Sequence, residues 1–360
     1  MKAGIVGAGI MGQLLAFELT HLGWDVTLFD PAAKNNCSMA AAGLLTPVAE
    51  LEKNDLLVFQ LGIEALSRHW PDVLARLPNV IYFKRMGSLI LSHPNDQAEL
   101  LRFIQIITAK MDSNKLGNYQ QLTREQIIDM EPDIVKGCCG YFFTQEGQID
   151  NQQLLSTLEN YLFDKVIFKK LAVQRVEPYQ VLTQQEKYHF DWVFDCRGLG
   201  ARDKFIDLRS IRGELIWLHA PDVTIHRPVR LFHPRYNLYL VPRAENVYLL
   251  GASEIESEDY SAISVRTVLE LLTAAYYMQP KLAEARIIKT MTHCRPTLAN
   301  HLPRILYSDR YIAVNGLYRH GFLIGPTLAK EIIKFIQHGK QSLTYPQLWN
   351  KPNDHDSFQQ

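Results

Sequence analysis

A chain of 360 residues is long for one small core and leads us to expect two domains; 47% apolar and 21% charged residues are ordinary for a globular protein. Basic and acidic side chains balance at 38 each, so no long-range field is available to gather nucleic acid or an anionic membrane. Five cysteines, none in a CxxC pair, argue against a disulfide framework or a metal site and suit a reducing cytosol. No segment reaches the ~20 apolar residues of a membrane helix, and Gly4, Gly7, Gly9 and Gly12 break up the N-terminal run that a secretory signal would need. The expectation is a cytoplasmic protein with neither a membrane nor a nucleic-acid partner.

Lys2 to Val6 reads as a short buried strand. Gly7-Ala8-Gly9-Ile10-Met11-Gly12 follows with GxGxxG spacing, then a helix over Gln13 to Leu22 stopped by Gly23, then a strand over Val26 to Phe29 ending at Asp30. Gly7 permits the tight turn, Gly9 lets backbone approach a pyrophosphate, and Gly12 lets the helix pack on the strand. The helix N-terminus, opening at Ile10 and Met11, offers amides and a positive dipole end to phosphates. Asp30 stands where a carboxylate accepts hydrogen bonds from ribose hydroxyls. This is a dinucleotide site, and the motif alone does not choose between NAD and FAD.

After Asp30 comes a run of small residues, Cys37-Ser38-Met39-Ala40-Ala41-Ala42-Gly43-Leu44, suited to lying against a bulky ring. A helical stretch over Asn54 to Leu77 is closed by Pro78, and one or two strands follow over Ile81 to Leu91. Phe190 to Cys196 is an apolar strand running into Arg197-Gly198-Leu199-Gly200-Ala201. Leu215 to Leu218, Val229 to Phe232, Leu238 to Val241 and Val247 to Leu250 read as short strands of an antiparallel sheet. Val265 to Met278 is an amphipathic helix with Ser264 as its N-cap. A strand over Tyr311 to Gly316 leads through Leu317-Tyr318-Arg319-His320-Gly321-Phe322-Leu323 to a helix opened by Pro326. The polar stretch from Gln341 to Gln360 is expected to fray.

The opening motif, the small-residue run and the glycine-rich closing turn together resemble the glycine oxidase and D-amino acid oxidase family of FAD-dependent oxidoreductases, over roughly Met1 to Ile336. The likeness is strongest to the glycine oxidases of thiamine biosynthesis. It implies an α/β fold: a doubly wound FAD-binding domain (residues 1–80, 140–212 and 294–340), with an inserted antiparallel-sheet substrate domain (81–139 and 213–293). It also implies that FAD is held by the opening loop and Asp30, by Ser38, Ala42, Gly43 and Leu44, and by Val173 and Gly198. The closing turn would complete the cofactor site through Leu317, Tyr318, Gly321, Phe322, Leu323 and the backbone amide of His320. In that family a closing helix N-terminus faces the flavin's pyrimidine end, where amides stabilise the charge that reduction builds.

Oxidising an amino acid through flavin requires a cation for its carboxylate, a neutral amine, and an α-carbon held close to the flavin. By resemblance, Arg295 in Cys294-Arg295-Pro296-Thr297 is the carboxylate clamp, Tyr239 also meets the carboxylate, and Arg319 lies beside flavin and substrate. Arg243 reads as structural, and His233 and His293 as hydrogen-bonding strand residues. Cys294 stands near the position where sarcosine-oxidase relatives carry a flavin-linked cysteine, but its surroundings point to a non-covalent flavin. Two departures touch substrate choice: Glu254 replaces an apolar residue and Leu44 a methionine. The expected reaction is oxidation of glycine or a similar small amino acid, with oxygen reduced to peroxide and the product feeding thiazole synthesis. A sarcosine or D-amino acid oxidase, an NAD-dependent dehydrogenase, a flavin module without turnover and a homo-oligomer stay open.

Overall fold

The computed structural model describes residues 1–31, 36–111, 119–134, 138–232 and 237–351. Strand Lys2–Val6 is buried over its last four residues, as a central strand covered on both faces must be. It pairs in parallel with Asp25–Phe29 on one side and Trp192–Asp195 on the other. The seven-stranded sheet continues outward to Val166–Lys169 at one edge, and through Tyr311–Asn315 and Arg304–Ser308 to Trp349–Asn350 at the other. The chain order reverses across Lys2–Val6, so a crevice opens at that strand's carboxyl end.

Helix Ile10–His21 is buried from Ile10 to Leu19, packed against helices Asn151–Leu162 and Gly321–His338. Its one buried acid, Glu18, is matched by Arg76 at 2.6 Å and Lys330 at 2.9 Å, which is what a charge in a core requires.

The expected helical stretch resolves into Leu56–Glu64, a π-helical turn Ala65–His69, and Trp70–Ala75. Trp70 is fully buried and corrects our expectation for the closing helix. That helix begins at Gly321, not at Pro326, which lies inside it. A proline within a helix cannot donate to the carbonyl four residues back. Here that carbonyl belongs to Phe322, and the indole Nε1 of Trp70 donates to it at 2.8 Å. The helix therefore passes through Pro326 with its backbone satisfied.

The nine-stranded sheet holds the expected short strands, found at Arg209–His219, Val229–Phe232, Asn237–Pro242 and Val247–Gly251. It is antiparallel except where Val229–Phe232 runs parallel to Ser88–Ser92. Helix Val265–Met278 covers one face, and the Ser264 side chain accepts from the Thr267 amide as a cap. Strand Arg286–Thr297 pairs along the whole length of Arg209–His219, so it runs straight through the expected boundary at 293/294. Cys139–Phe143 likewise belongs to this sheet rather than to the seven-stranded one. The C-terminal stretch does not fray throughout: Trp349 is buried, stacks on Phe335 at 4.5 Å, and its strand extends the seven-stranded sheet. Residues 352–360 lie outside the described residues, as does His233. Among the described residues no helix is long and apolar enough to cross a membrane.

Candidate active site

The glycine loop sits at the carboxyl end of Lys2–Val6. Gly7 has φ +100°, and a Cβ there would lie 2.5 Å from the Cys196 carbonyl oxygen. A Cβ at Gly12 would lie 1.9 Å from the Gly7 carbonyl oxygen, so neither glycine tolerates a side chain. Gly9 differs: among the described residues the one atom near a Cβ there is Ser38 Oγ at 3.1 Å, a side-chain atom and not backbone. No side chain caps the helix from its N-cap Gly9; Ser38 Oγ accepts the Ile10 amide at 3.0 Å. Asp30 Oδ2 accepts the Ala8 amide at 2.8 Å, which fixes the carboxylate beside the loop. An open glycine, a helix N-terminus and a strand-end carboxylate make the donor and acceptor set that a dinucleotide takes. Met11 is buried behind the loop. Gly198, at φ +57°, gives its carbonyl to Asn315 Nδ2 at 2.8 Å. Val173 begins its strand at a register irregularity and packs against the core group of Val6 and Phe29.

A cavity of about 160 Å³ extends from Ile10 towards the nine-stranded sheet. Ser38, Ala42, Gly43 and Leu44 line one wall, and Tyr318, His320, Gly321, Phe322 and Leu323 another; Leu317 is buried nearby but is not part of the lining. Arg243 has the structural place expected of it: its guanidinium holds the carbonyls of Ala42 and Ile149 together with Gln148 Oε1. His320 departs from expectation. Its backbone amide donates to the Leu317 carbonyl at 2.8 Å and is not offered to the cavity. Burial pushes its imidazole down to about 4, and Nε2 pairs with Asn54 Oδ1 at 3.2 Å.

The far end of the cavity is built by the sheet. Arg295 comes from Arg286–Thr297 and Tyr239 from Asn237–Pro242, with Arg209–His219 and Val247–Gly251 between them. Arg295 donates through Nη1 to the Ser253 carbonyl at 3.2 Å. Tyr239 pairs with Gly251 in register, and burial pushes its phenol above the ordinary value. Among the described residues three guanidinium groups line the cavity. Arg230 is paired with Glu52 at 2.9 Å. Arg319 donates to Glu50 at 2.8 Å and to Glu254 at 3.2 Å. Burial works against the Arg319 charge, but the two carboxylates outweigh it and hold its pKa above the usual arginine value. Arg295 alone of the three has no carboxylate partner among the described residues.

Sequence reasoning missed several residues that share this cavity. Glu50, Lys53, Arg230 and Glu146 line it and lie in segments without a motif. Glu146 is fully buried, accepts the Ala49 amide at 2.7 Å and the Ser88 hydroxyl, and is pushed by burial up to about 7. His293 also lines the cavity, and the signal was available: in a strand, residues two apart share a face, and His293 is two from Arg295. The same alternation turns Cys294 away. Its Sγ lies 3.6 Å from the carbonyls of Ser257 and Asp259, outside the cavity lining.

Comparison with known proteins bears out the family resemblance read in the loop, the small-residue run and the closing turn. The family described as FAD dependent oxidoreductase matches residues 2–334. The Rhizobium etli protein that carries the name thiamine biosynthesis oxidoreductase ThiO is 34% identical over 337 residues, covering 93% of this chain and 96% of that protein. A glycine oxidase of Geobacillus kaustophilus is 23% identical over 348 residues, 89% of each chain. Among solved structures, the iminodiacetate oxidase of Chelativorans sp. BNC1 shares the fold with a TM-score of 0.82 at 19% identity, covering 97% of this chain and 99% of that one. These matches answer the choice that the glycine loop left between NAD and FAD. The chain belongs to the FAD dependent oxidoreductase family, and FAD is its cofactor.

Proposed function

We propose that the protein oxidises glycine, or an amino acid of similar size, to the imine, with oxygen reduced to hydrogen peroxide. We further propose that the imine supplies thiazole synthesis for thiamine, a role that the name of the Rhizobium etli relative supports. The observation that carries the reading is Arg295: a guanidinium facing the cavity with no carboxylate of its own among the described residues. A planar fork in that state is a receptor for a substrate carboxylate.

The division of labour follows from the two sheets. In this reading the loop Gly7 to Gly12, Asp30, Ser38 to Leu44 and the turn before helix Gly321–His338 hold FAD, with Val173 and Gly198 beside it. These residues would hold FAD, which when bound would supply the acceptor for a hydride from the substrate α-carbon. Arg295 orients the carboxylate by two parallel hydrogen bonds, and the Tyr239 hydroxyl adds a third donor. Arg319 does not clamp substrate in this arrangement; its two carboxylate partners make it a positioning residue for the cavity wall. His320, whose pKa burial lowers to about 4, is too weak a base to take the proton of the substrate amine. The substrate amine sheds its proton to water before hydride leaves, and positioning carries most of the rate.

The test is anaerobic mixing of the yellow holoprotein with glycine, sarcosine, D-alanine and L-alanine, followed by flavin absorbance. Bleaching by glycine is expected. A flavin that none of the four reduces would rule the reading out.

A further inference from the structure

Four charged side chains form a continuous chain across one wall of the cavity. Lys53 Nζ meets Glu254 Oε2 at 2.8 Å, Glu254 Oε1 meets Arg319 Nη1 at 3.2 Å, and Arg319 Nε meets Glu50 Oε2 at 2.8 Å. Lys53 and Glu254 are 39% and 34% exposed, whereas Arg319 and Glu50 are 23% and 14% exposed, so the chain runs from the mouth inward. Burial alone would raise the carboxyls of Glu254 and Glu50, but Arg319 beside both holds each below the ordinary carboxylate range. Glu254 and Glu50 are therefore ionised at neutral pH, and the wall sets two acids against two bases.

The position of Glu254 relative to the clamp is fixed through the backbone. Its neighbour Ser253 gives its carbonyl to Arg295 Nη1 at 3.2 Å and its Oγ to the Glu214 amide at 3.0 Å. Arg230 is neutralised by Glu52, so among these cavity-lining cations the charge of Arg295 is the one left unmatched. One substrate carboxylate cancels it. A second carboxylate would meet the Glu254 carboxylate and, among the described residues, no spare cation, and like charges set side by side are costly in a water-poor site.

We infer that Glu254 is the specificity-determining residue, which makes the site select amino acids with one carboxylate and reject those with two. The inference rests on the proposed function for the kind of substrate, but its test measures binding alone. Glu254 touches no reacting atom in this reading and is not catalytic.

Glycolate and malonate, a one-carboxylate and a two-carboxylate probe, are titrated into the oxidised holoprotein, with binding read from the flavin spectrum. The parent should prefer glycolate. Glu254→Gln leaves the wall with one net positive charge and should shift the ratio of the two dissociation constants towards malonate by about tenfold or more. Lys53→Gln gives the wall one net negative charge and should shift the ratio the opposite way. A merely structural role for the ion pairs would move both variants in the same direction. The inference is overturned if Glu254→Gln leaves the ratio within about twofold of the parent, or if the two variants shift alike. Should Glu254→Gln lose its flavin, Lys53→Gln decides alone: a shift away from malonate supports the inference, and no shift or one towards malonate overturns it. Failure of glycine to reduce the parent's flavin would remove the proposed function while leaving this selectivity measured in its own right.

Discussion

Gly213 lies directly beneath the guanidinium of Arg295: a Cβ on Gly213 would stand 2.1 Å from Nη2 and 2.4 Å from Cζ. The strands that carry them are paired, Gly213 with His293 and Ile211 with Arg295, so the Arg295 side chain crosses the one place on its neighbour where no side chain stands. Gly213→Ala should displace the guanidinium without touching the flavin loop. We expect glycine-driven flavin reduction to fall about tenfold or more at unchanged flavin content, because misplacing a positioning group is costly. Rapid-mixing absorbance measures this, and an unimpaired variant would mean that the guanidinium does not act from its observed place.

Removing the clamp should cost more. Arg295→Ala should lower the efficiency of flavin reduction by glycine by about a hundredfold, corresponding to about 3 kcal/mol of lost stabilisation. Arg295→Lys should recover only part, since a point charge cannot reproduce a planar fork. Flavin occupancy should stay near that of the parent; a parallel loss of flavin would point to a structural role instead.

The two glycines of the loop separate cofactor binding from folding. A side chain at Gly9 presses on the Ser38 hydroxyl, which can turn aside, whereas one at Gly12 meets backbone. Gly9→Val should therefore purify folded and colourless, with circular dichroism like that of the parent. Gly12→Ala should lower the melting temperature even without flavin. A yellow Gly9→Val protein at full occupancy would dissociate the motif from FAD.

Glu146 gives a pH signature. Burial raises its pKa from the ordinary 4.5 to about 7 in the folded protein, so the folded state binds more protons than the unfolded one between those values. Stability associated with this group is fully present below about 4.5 and is lost as pH rises through about 7. His320 has the opposite sign: its pKa is depressed to about 4, so its contribution is lost as pH falls from 6.5 towards 4. Glu146→Gln removes only the first effect. Its melting temperature relative to the parent should rise with pH between about 5 and 8, by the equivalent of up to about 3 kcal/mol. A difference that does not vary with pH would show that Glu146 is ionised throughout.

What the sequence revealed and what it hid have physical reasons. The strand, glycine loop, helix and terminal Asp30 were legible because every signal lies within thirty residues and each glycine has a local steric cause. Strand Val229–Phe232 and helix Val265–Met278 were legible to the residue, the latter through its serine cap. The partners of Arg319 were not, because Glu50 lies 269 residues away and carries no motif. The start of the closing helix was misread because proline ordinarily marks a first turn. Nothing local shows that Trp70 would supply the missing donor from 252 residues away.

That last contact bears on how the protein is made. The ribosome delivers the glycine loop well before the closing helix, and domains generally begin to fold as they emerge. The first turn of Gly321–His338, which lines the cavity, is completed by an indole near the beginning of the chain. Until residue 322 has left the ribosome and docked on Trp70, the nascent protein has only one of the two cavity walls that we propose hold FAD. Stable capture of FAD is thus deferred until the closing helix has been made, and a chain cut short before Gly321 should emerge without its colour.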